Sequence, residues 1–474
     1  MKNMKLIQVL FFTAITALFL TACDDQDDQI ERISGLEIED FIYRGMNTWY
    51  LYEDDIADLA DNRFASAADY QNYLRGFDSP ESLFAALKAP APTDRFSIIV
   101  NDYEVLNNLF AGNTTTTGVE YGLFYEPGSD TNIYGVVRYI IPGSPAASQN
   151  ISRGDIFTGI NGQELTASNY RNLLASSTIT FNLGSFDGTT VTSSSEAVTV
   201  SRAAVTENPV FFKTVFVRGS KRIAYLIYNG FTANFDTQLN AAFAELKAQN
   251  PTDLILDLRY NSGGSVLTAS RLAAMITGQF TGQLFAKYQY NSDIQAQFEA
   301  TNPDELRINF PNSVGPTPIN SLNLTKVYVI TTGSSASASE LVINCLKPYI
   351  QVRQIGTKTT GKNTGSITLY DSPTFGTQNR NPNHKYAMQP LVIKTINADD
   401  FGDYSNGIEP DLNLPEQAQN MGVLGNENEP LLAAALNYIE TGNRPANRNA
   451  VNSIQFSDSK KMIPFATDMY LPTK

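Results

Sequence analysis

The chain has 474 residues, room for two to four domains at about 100–200 residues each, and its 42% hydrophobic and 11% aromatic content excludes a largely disordered protein. Lys and Arg number 34 against 48 Asp and Glu; a formal charge of −14 without a long basic run argues against nucleic acid as the main partner. Two cysteines and one histidine exclude a disulfide framework and a Cys/His zinc cluster, so no metal is expected, and a hydrolytic triad has one imidazole to draw on.

The N-terminus reads as a targeting segment. Lys2 and Lys5 precede an apolar run, Leu6 to Leu20, which is short for a membrane span. It ends in Leu20-Thr21-Ala22-Cys23, which resembles the lipobox of bacterial lipoproteins, where the signal is cut before the Cys and the thiol is acylated. The resemblance implies a signal peptide over 1–22 and lipidation of Cys23. The alternatives are an ordinary signal peptide that contains Cys, or a membrane anchor. Residues 23–35 follow as an acidic linker, with Asp24-Asp25-Gln26-Asp27-Asp28 as a solvated charge run. The expected location is the cell envelope, on a lipid anchor in the periplasm or at the cell surface. No cofactor is expected there, ATP and reducing cofactors being cytoplasmic.

Residues 36–97 read as a small helical region. Leu36, Ile38, Phe41, Ile42 and Met46 recur at helical spacing, and Ser79-Pro80 opens another helix. Residues 100–205 change to short strands such as Tyr134–Ile141 and Thr178–Phe181, separated by Gly, Ser, Asp and Asn turns. Within them, Ile141-Pro142-Gly143-Ser144-Pro145-Ala146-Ala147, Gly154-Asp155-Ile156-Phe157 and Ile160-Asn161-Gly162 resemble the middle of a PDZ domain. Gly118, Val119, Glu120, Tyr121 and Gly122 then fall where such domains place the loop that binds a peptide's terminal carboxylate. The alternative is a plain β-rich domain with glycine turns.

From 210 to 440 strands and helices alternate: strand Ile223–Tyr228, helix Phe235–Gln249, strand Leu254–Leu258, helix Val266–Ile276, strand Lys326–Thr331, helix Ala338–Tyr349. This order predicts an α/β core with a mainly parallel sheet. Residues 278–325 read as an insertion, 370–415 as Asn/Asp/Pro/Gly-rich, Glu429–Thr441 as a last helix and 441–474 as a polar tail. The fold expected is thus multidomain α+β.

The stretch Gly333-Ser334-Ser335-Ala336-Ser337-Ala338-Ser339-Glu340 lies between a strand and a helix. Ser337 and Glu340 form a capping-box pattern, whose ordinary meaning is a helix start. A serine at such a turn also sits beside converging N–H groups and the positive end of the helix dipole, which favour an oxyanion. It still needs a base. His384, in Asn381-Pro382-Asn383-His384-Lys385, is one candidate, without local support. Lys362, in Gly356-Thr357-Lys358-Thr359-Thr360-Gly361-Lys362, is the other; it serves if burial disfavours its charged form. That segment nearly matches a P-loop, but Asn363 replaces the required Ser or Thr and a strand follows in place of a helix.

Ser335-Ala-Ser337-Ala-Ser339-Glu340, with Gly361-Lys362 placing the lysine 25 residues after Ser337, resembles the carboxyl-terminal processing proteases, the S41 serine peptidases. Asp257-Leu258-Arg259-Tyr260-Asn261-Ser262-Gly263-Gly264 and Asn406-Gly407-Ile408-Glu409-Pro410-Asp411 resemble two further segments of that family. The resemblance covers roughly residues 95–440 and implies a ClpP/crotonase-like core. It implies Ser337 as nucleophile, Lys362 as general base, and an oxyanion hole from Gly263 or Gly264 together with Ala338. The family's usual Gln four residues after the lysine is here Ser366, a candidate orienter of the base. A second Ser-x-x-Lys pattern, Ser457 to Lys460, lies in the polar tail and reads as chance.

The leading expectation is a lipid-anchored serine endopeptidase with a Ser/Lys dyad, cleaving proteins whose exposed C-terminal tails a PDZ-like domain presents. The alternative is a binding lipoprotein on a catalytically weak or inactive protease scaffold. A surface glycan-binding protein, suggested by Tyr- and Asn-rich loops such as Tyr288–Ser292, is a third.

Overall fold

The computed structural model describes residues 33, 35–447, 455–463 and 469–471. The signal peptide, Cys23 and nearly all of the acidic linker lie outside the described residues.

The chain opens with helices α1 (Glu37–Trp49), α2 (Ala67–Leu74) and α3 (Pro80–Ala86). α1 carries Glu37, Glu39 and Asp40 in its first turn, where the helix dipole favours acid, and buries Phe41, Ile42 and Met46. In α3, Ser79 and Ser82 cap each other's backbone and Pro80 takes the first position. A cluster of Phe41, Tyr50, Tyr70, Leu83 and Phe84 joins these helices to Leu369, Met388 and Leu391 from far down the chain.

A short helix, α4 (Tyr103–Phe110), leads into the β-rich region. Its strands are β1 (Val119–Tyr125), β2 (Ile133–Ile140), β3 (Ile156–Ile160), β4 (Thr178–Phe186) and β5 (Val191–Ser201). They pair antiparallel in that order around Val137, Phe157, Ile160 and Phe181.

The rest of the chain forms β6 (Val210–Arg218), β7 (Lys221–Tyr228), α5 (Asp236–Lys247), β8 (Asp253–Asp257), β9 (Gly264–Ser265), α6 (Val266–Thr277), β10 (Lys326–Thr331), α7 (Ala338–Leu346), β11 (Gln351–Gly356), β12 (Thr364–Ser366), β13 (Leu391–Ile396), β14 (Leu412–Asn413) and α8 (Pro430–Thr441). One six-stranded sheet has the order β6-β7-β8-β10-β11-β14. Its β6–β7 pair is antiparallel and the other pairs are parallel. β8 and β10 are buried nearly throughout, as expected for apolar runs covered on both faces. α5, α6 and α7 contribute to the cluster on one face and α8 to that on the other.

A second six-stranded sheet contains β9, β12 and β13 together with Leu284–Gln289 and Arg307–Asn309. Residues 278–325 are therefore built into the fold: Phe285 and Phe310 are fully or almost fully buried in the main core. The buried strand β13 lies in the stretch read as Asn/Asp/Pro/Gly-rich.

The C-terminal segment differs most from expectation. Strand β15 (Gln455–Asp458) extends the β-rich sheet along the edge of β1, and β16 (Met469–Tyr470) lies between β9 and β12 in the second sheet. A polar side-chain pattern does not prevent this, because strand addition at an open edge uses backbone N–H and C=O groups that every residue but Pro supplies.

Candidate active site

Ser337 sits where β10 ends and α7 begins, with φ 61° and ψ −116°. A non-glycine residue in that region costs on the order of 1–3 kcal/mol and persists only where the surroundings over-determine it. The surroundings are dense. Ser335 donates its hydroxyl to the Leu258 carbonyl (2.8 Å), and Ser339 donates its own to the Asn261 carbonyl (3.0 Å). The two flanking serines thus pin the turn to the Asp257–Gly264 segment. The Ser337 hydroxyl, fully buried at the head of the helix, has no hydrogen-bond partner among the described residues. Of the capping box read from the sequence, the Glu340 half is formed, its carboxylate taking the Ser337 N–H, while the serine hydroxyl makes no bond.

Gly263 faces this serine directly. A Cβ at Gly263, whose φ is +117°, would come 2.6 Å from both Cβ and Oγ of Ser337. Its N–H donates to Asn261 Oδ1 (3.0 Å), and Gly264, the other candidate oxyanion donor, pairs in parallel with Met469. Gly264, at φ +131°, has no room for a Cβ against the Phe231 carbonyl, 2.4 Å away. Ala338 opens α7, in whose first turn N–H groups lack intrahelical acceptors.

Glu340 ties the two halves of the candidate dyad together. Its fully buried carboxylate accepts the N–H of Ser337 (2.7 Å), Gly361 (2.7 Å) and Lys362 (2.8 Å), and the hydroxyl of Thr359. Burial pushes this carboxyl above its ordinary value, and the four donors oppose the rise. One carboxylate therefore holds the backbone of the serine turn against the backbone of the lysine loop. Sequence reasoning saw only a helix cap here; the partners 19–22 residues away carried no local signal.

Lys362 is fully buried, and its ammonium stands 4.7 Å from the centroid of the Phe96 ring. Arg95 donates to the carbonyls of Gly361 (2.9 Å) and Ser405 (3.3 Å). Asp94 caps the N–H groups of Phe96 and Ser97 and accepts the Tyr50 hydroxyl (2.7 Å). The segment Asp94–Ser97, without a role in the sequence reading, thus closes the N-terminal region over the lysine loop. On the far side of that loop Thr359 pairs with Ile408, each backbone or side chain bonding the other.

Other expected residues fall elsewhere. The Ser366 hydroxyl donates to Gln389 Oε1 (2.6 Å) and lies 3.2 Å from the Met469 carbonyl; its described contacts are not with Lys362. His384 lies 3.1 Å from an Asp371 oxygen through Nε2 and accepts the Tyr386 N–H on Nδ1 (3.1 Å), against Phe41 of α1. Both ring nitrogens are thus occupied away from Ser337. The stretch expected as a carboxylate loop is strand from Val119 on; the N–H groups of Gly118 and Val119 donate to the Thr116 and Thr117 hydroxyls, and that of Tyr121 to Ser459 Oγ. Amides expected to converge on a terminal carboxylate are thus already committed, with the buried Glu120 carboxylate beside them.

Two charged clusters join the β-rich region to the core. Arg259 is buried among Asp257, Glu416 and Glu429, each with an oxygen 2.7–3.0 Å from a guanidinium nitrogen. Arg153 donates to Glu416 (2.8 Å) and to the Tyr260 hydroxyl (2.7 Å). Arg153 and Arg259 hold the Glu416 carboxyl down at about 2 against the opposing effect of burial. Arg138 donates to Ser334 Oγ (2.9 Å), in the run that leads to Ser337, and Ser334 donates to Asp458 (2.7 Å).

Comparison with known proteins places the fold that carries these residues. The model for peptidase family S41 matches residues 222–413, and that for the peptidase S41 N-terminal domain matches residues 37–98. A carboxyl-terminal-processing protease of Picosynechococcus sp. is 26% identical over 63% of this chain and 65% of its own length. A chloroplastic C-terminal processing peptidase of Tetradesmus obliquus is 25% identical over 53% of this chain and 52% of its own. The chain thus spans between about half and two thirds of the length of these curated relatives. A solved structure of a candidate S41 protease from Bacteroides fragilis superposes with a TM-score of 0.65 and 27% identity, over 85% of this chain and 97% of that one. The mixed α/β fold with its helical N-terminal region matches that structure, the two matched segments are those that meet at Lys362, and the chain belongs to peptidase family S41.

Proposed function

We propose that the chain is a serine endopeptidase in which Ser337 and Lys362 form the dyad. The observation that carries this reading is the turn at Ser337: a buried, unbonded hydroxyl held at positive φ against Gly263, on a backbone that Glu340 fastens to that of Lys362. Ser337 Oγ attacks the scissile carbonyl as Lys362 takes its proton. The N–H groups of Gly263 or Gly264 and of Ala338 receive the oxyanion. Lys362 returns the proton to the leaving amine, and water then releases the acyl-enzyme by the same route.

The substrates are unstructured segments near protein C-termini, the activity named for the relatives. The β-rich region, PDZ-like in its sequence pattern, presents them by strand addition at β1. The core sheet's parallel β7-β8-β10-β11 order supports a ClpP/crotonase-like reading. The protein works in the cell envelope on a lipid anchor at Cys23.

The test is turnover of an unfolded protein by the chain from Asp24 onward. Ser337→Ala and Lys362→Ala each lose at least about 10³-fold in kcat/KM, while His384→Ala retains activity. Equal turnover by wild type and Ser337→Ala would sink the dyad. A second reading, a binding protein on a protease scaffold, draws on the fact that Ser337 Oγ has no hydrogen bond to a base in this conformation. It requires that wild type show no Ser337-dependent turnover on any unfolded substrate.

A further inference from the structure

We propose that the edge of β1 is a site for an extended peptide bearing an aromatic residue four positions before a lysine or arginine, that Glu120 and Glu207 read the basic side chain, and that the chain's own segment 455–463 is seated there as a self-ligand. The proposal deepens the peptidase reading by naming a substrate class for the same cleft.

β15 runs antiparallel to β1, with Gln455 opposite Phe124, Ser457 opposite Leu123 and Asp458 opposite Gly122, and the Ser459 N–H continues the ladder to the Tyr121 carbonyl (3.0 Å). Backbone pairing of this kind takes any extended chain, so the side-chain contacts decide the sequence. Phe456 meets two rings edge-on, Tyr125 at 5.0 Å and Tyr170 at 5.1 Å between centroids. Four residues on, the Lys460 ammonium lies 3.2 Å from Glu207 and 3.9 Å from Glu120.

The acidic pair is built into the wall. Glu120 is 4% exposed and accepts the Ser459 hydroxyl (2.6 Å); Glu207 accepts the Tyr139 hydroxyl (2.9 Å). Two carboxylates facing one buried space repel unless a cation lies between them. A terminal carboxylate at this end of β1 would add a third negative charge, whereas an ammonium or guanidinium neutralises the pair. Glu120, Glu207 and Lys460 line the same cavity as Ser262, Gly263 and Gly264. Beyond it, Met469 and Tyr470 pair with Gly264 and Ser265. Residues 460 and 469 of the C-terminal segment thus meet the acidic pair and the glycine next to Gly263, and an incoming peptide anchored in the same register must displace residues 455–463.

The test is binding of a fluorescent peptide with the sequence of residues 454–462 to the full chain carrying Ser337→Ala, followed by anisotropy. Adding Phe456→Ala and Lys460→Ala to the chain loosens the self-ligand, and the peptide then binds at least tenfold tighter than to the chain with its own segment intact. Replacing the peptide's first lysine by glutamate weakens binding at least tenfold, as do Glu120→Gln and Glu207→Gln together in the chain. No binding to the loosened chain, or equal binding of the lysine and glutamate peptides, overturns the proposal. If the doubly substituted chain fails to fold by circular dichroism, hydrogen exchange at Tyr121 and Leu123 in the Ser337→Ala chain decides. Exchange by a local opening that excess peptide slows supports the site; exchange only with global unfolding overturns it. The readout is binding, so loss of this site and loss of the peptidase reading are separate results.

Discussion

The turn at Ser337 and the start of β1 at Gly118–Gly122 differ, although both were read from short small-residue patterns as places where backbone N–H groups meet a negative charge. At Ser337 the hydroxyl remains uncommitted and the glycine opposite leaves it room. At Gly118 the first two N–H groups are taken by threonine hydroxyls, and a Cβ would fall 1.9 Å from Ser144 Oγ. A short pattern shows which backbone conformations are open to a segment. Whether its donors are free depends on neighbours the pattern does not contain.

Four substitutions would sharpen or break this contrast. The largest effect is expected from Gly263→Ala: the new methyl collides with Ser337, and φ +117° strains any residue with a side chain. Peptidase activity should fall about 10²-fold or more, measured as kcat/KM in a chain whose circular dichroism is unchanged. Glu340→Gln should come next. The amide keeps the shape but offers one acceptor oxygen, and an NH2 that faces backbone donors. A drop in kcat of roughly tenfold with KM little changed is expected, together with about 2 kcal/mol of lost stability in urea. A Glu340→Gln chain with full kcat would remove this carboxylate from the positioning of the dyad.

An intermediate effect concerns acid. Glu416 has a folded pKa of about 2 against an ordinary 4.5, so its stabilisation is complete above the unfolded value and is lost as pH falls toward 2. That window is worth about 3 kcal/mol, and it should shrink in Glu416→Gln when urea midpoints are compared at pH 6 and pH 3. An unchanged pH slope would mean that Arg153 and Arg259 do not hold this carboxylate in solution. The smallest catalytic effect is expected at Gly118. Gly118→Ala should lower the thermal midpoint by several degrees while leaving turnover of a short peptide within about threefold, because its crowding is with Ser144 and not with the Ser337 turn.

Much of the fold was legible in the residues. The alternating core elements fall within a few residues of expectation, because Ile223–Tyr228, Leu254–Leu256 and Val327–Ile330 are apolar runs and α5 and α6 carry helical periodicity. β13 was missed although Leu391-Val392-Ile393 is itself such a run, because the Asn- and Pro-rich stretch around it masked the signal. The segment 455–471 was missed for a deeper reason. Its composition is that of a solvated tail, and it is held through edges that only the folded domains create.

Near neighbours in the chain carry the local chemistry: a serine at a strand-to-helix turn, a lysine in a glycine loop 25 residues later, a glycine pair before a helix, and the family these imply. Those features depend on dihedral freedom and hydrophobic period, which near neighbours set. Which groups are committed, and to what, follows from the folded arrangement alone. It assigned Glu340 to both loops, placed Phe96 against Lys362, gave both His384 nitrogens other partners, and laid the C-terminal segment along β1. Each of those outcomes pairs groups far apart in the chain, and burial, which makes an unpaired polar group costly, selects such pairs only once the whole chain has closed around them.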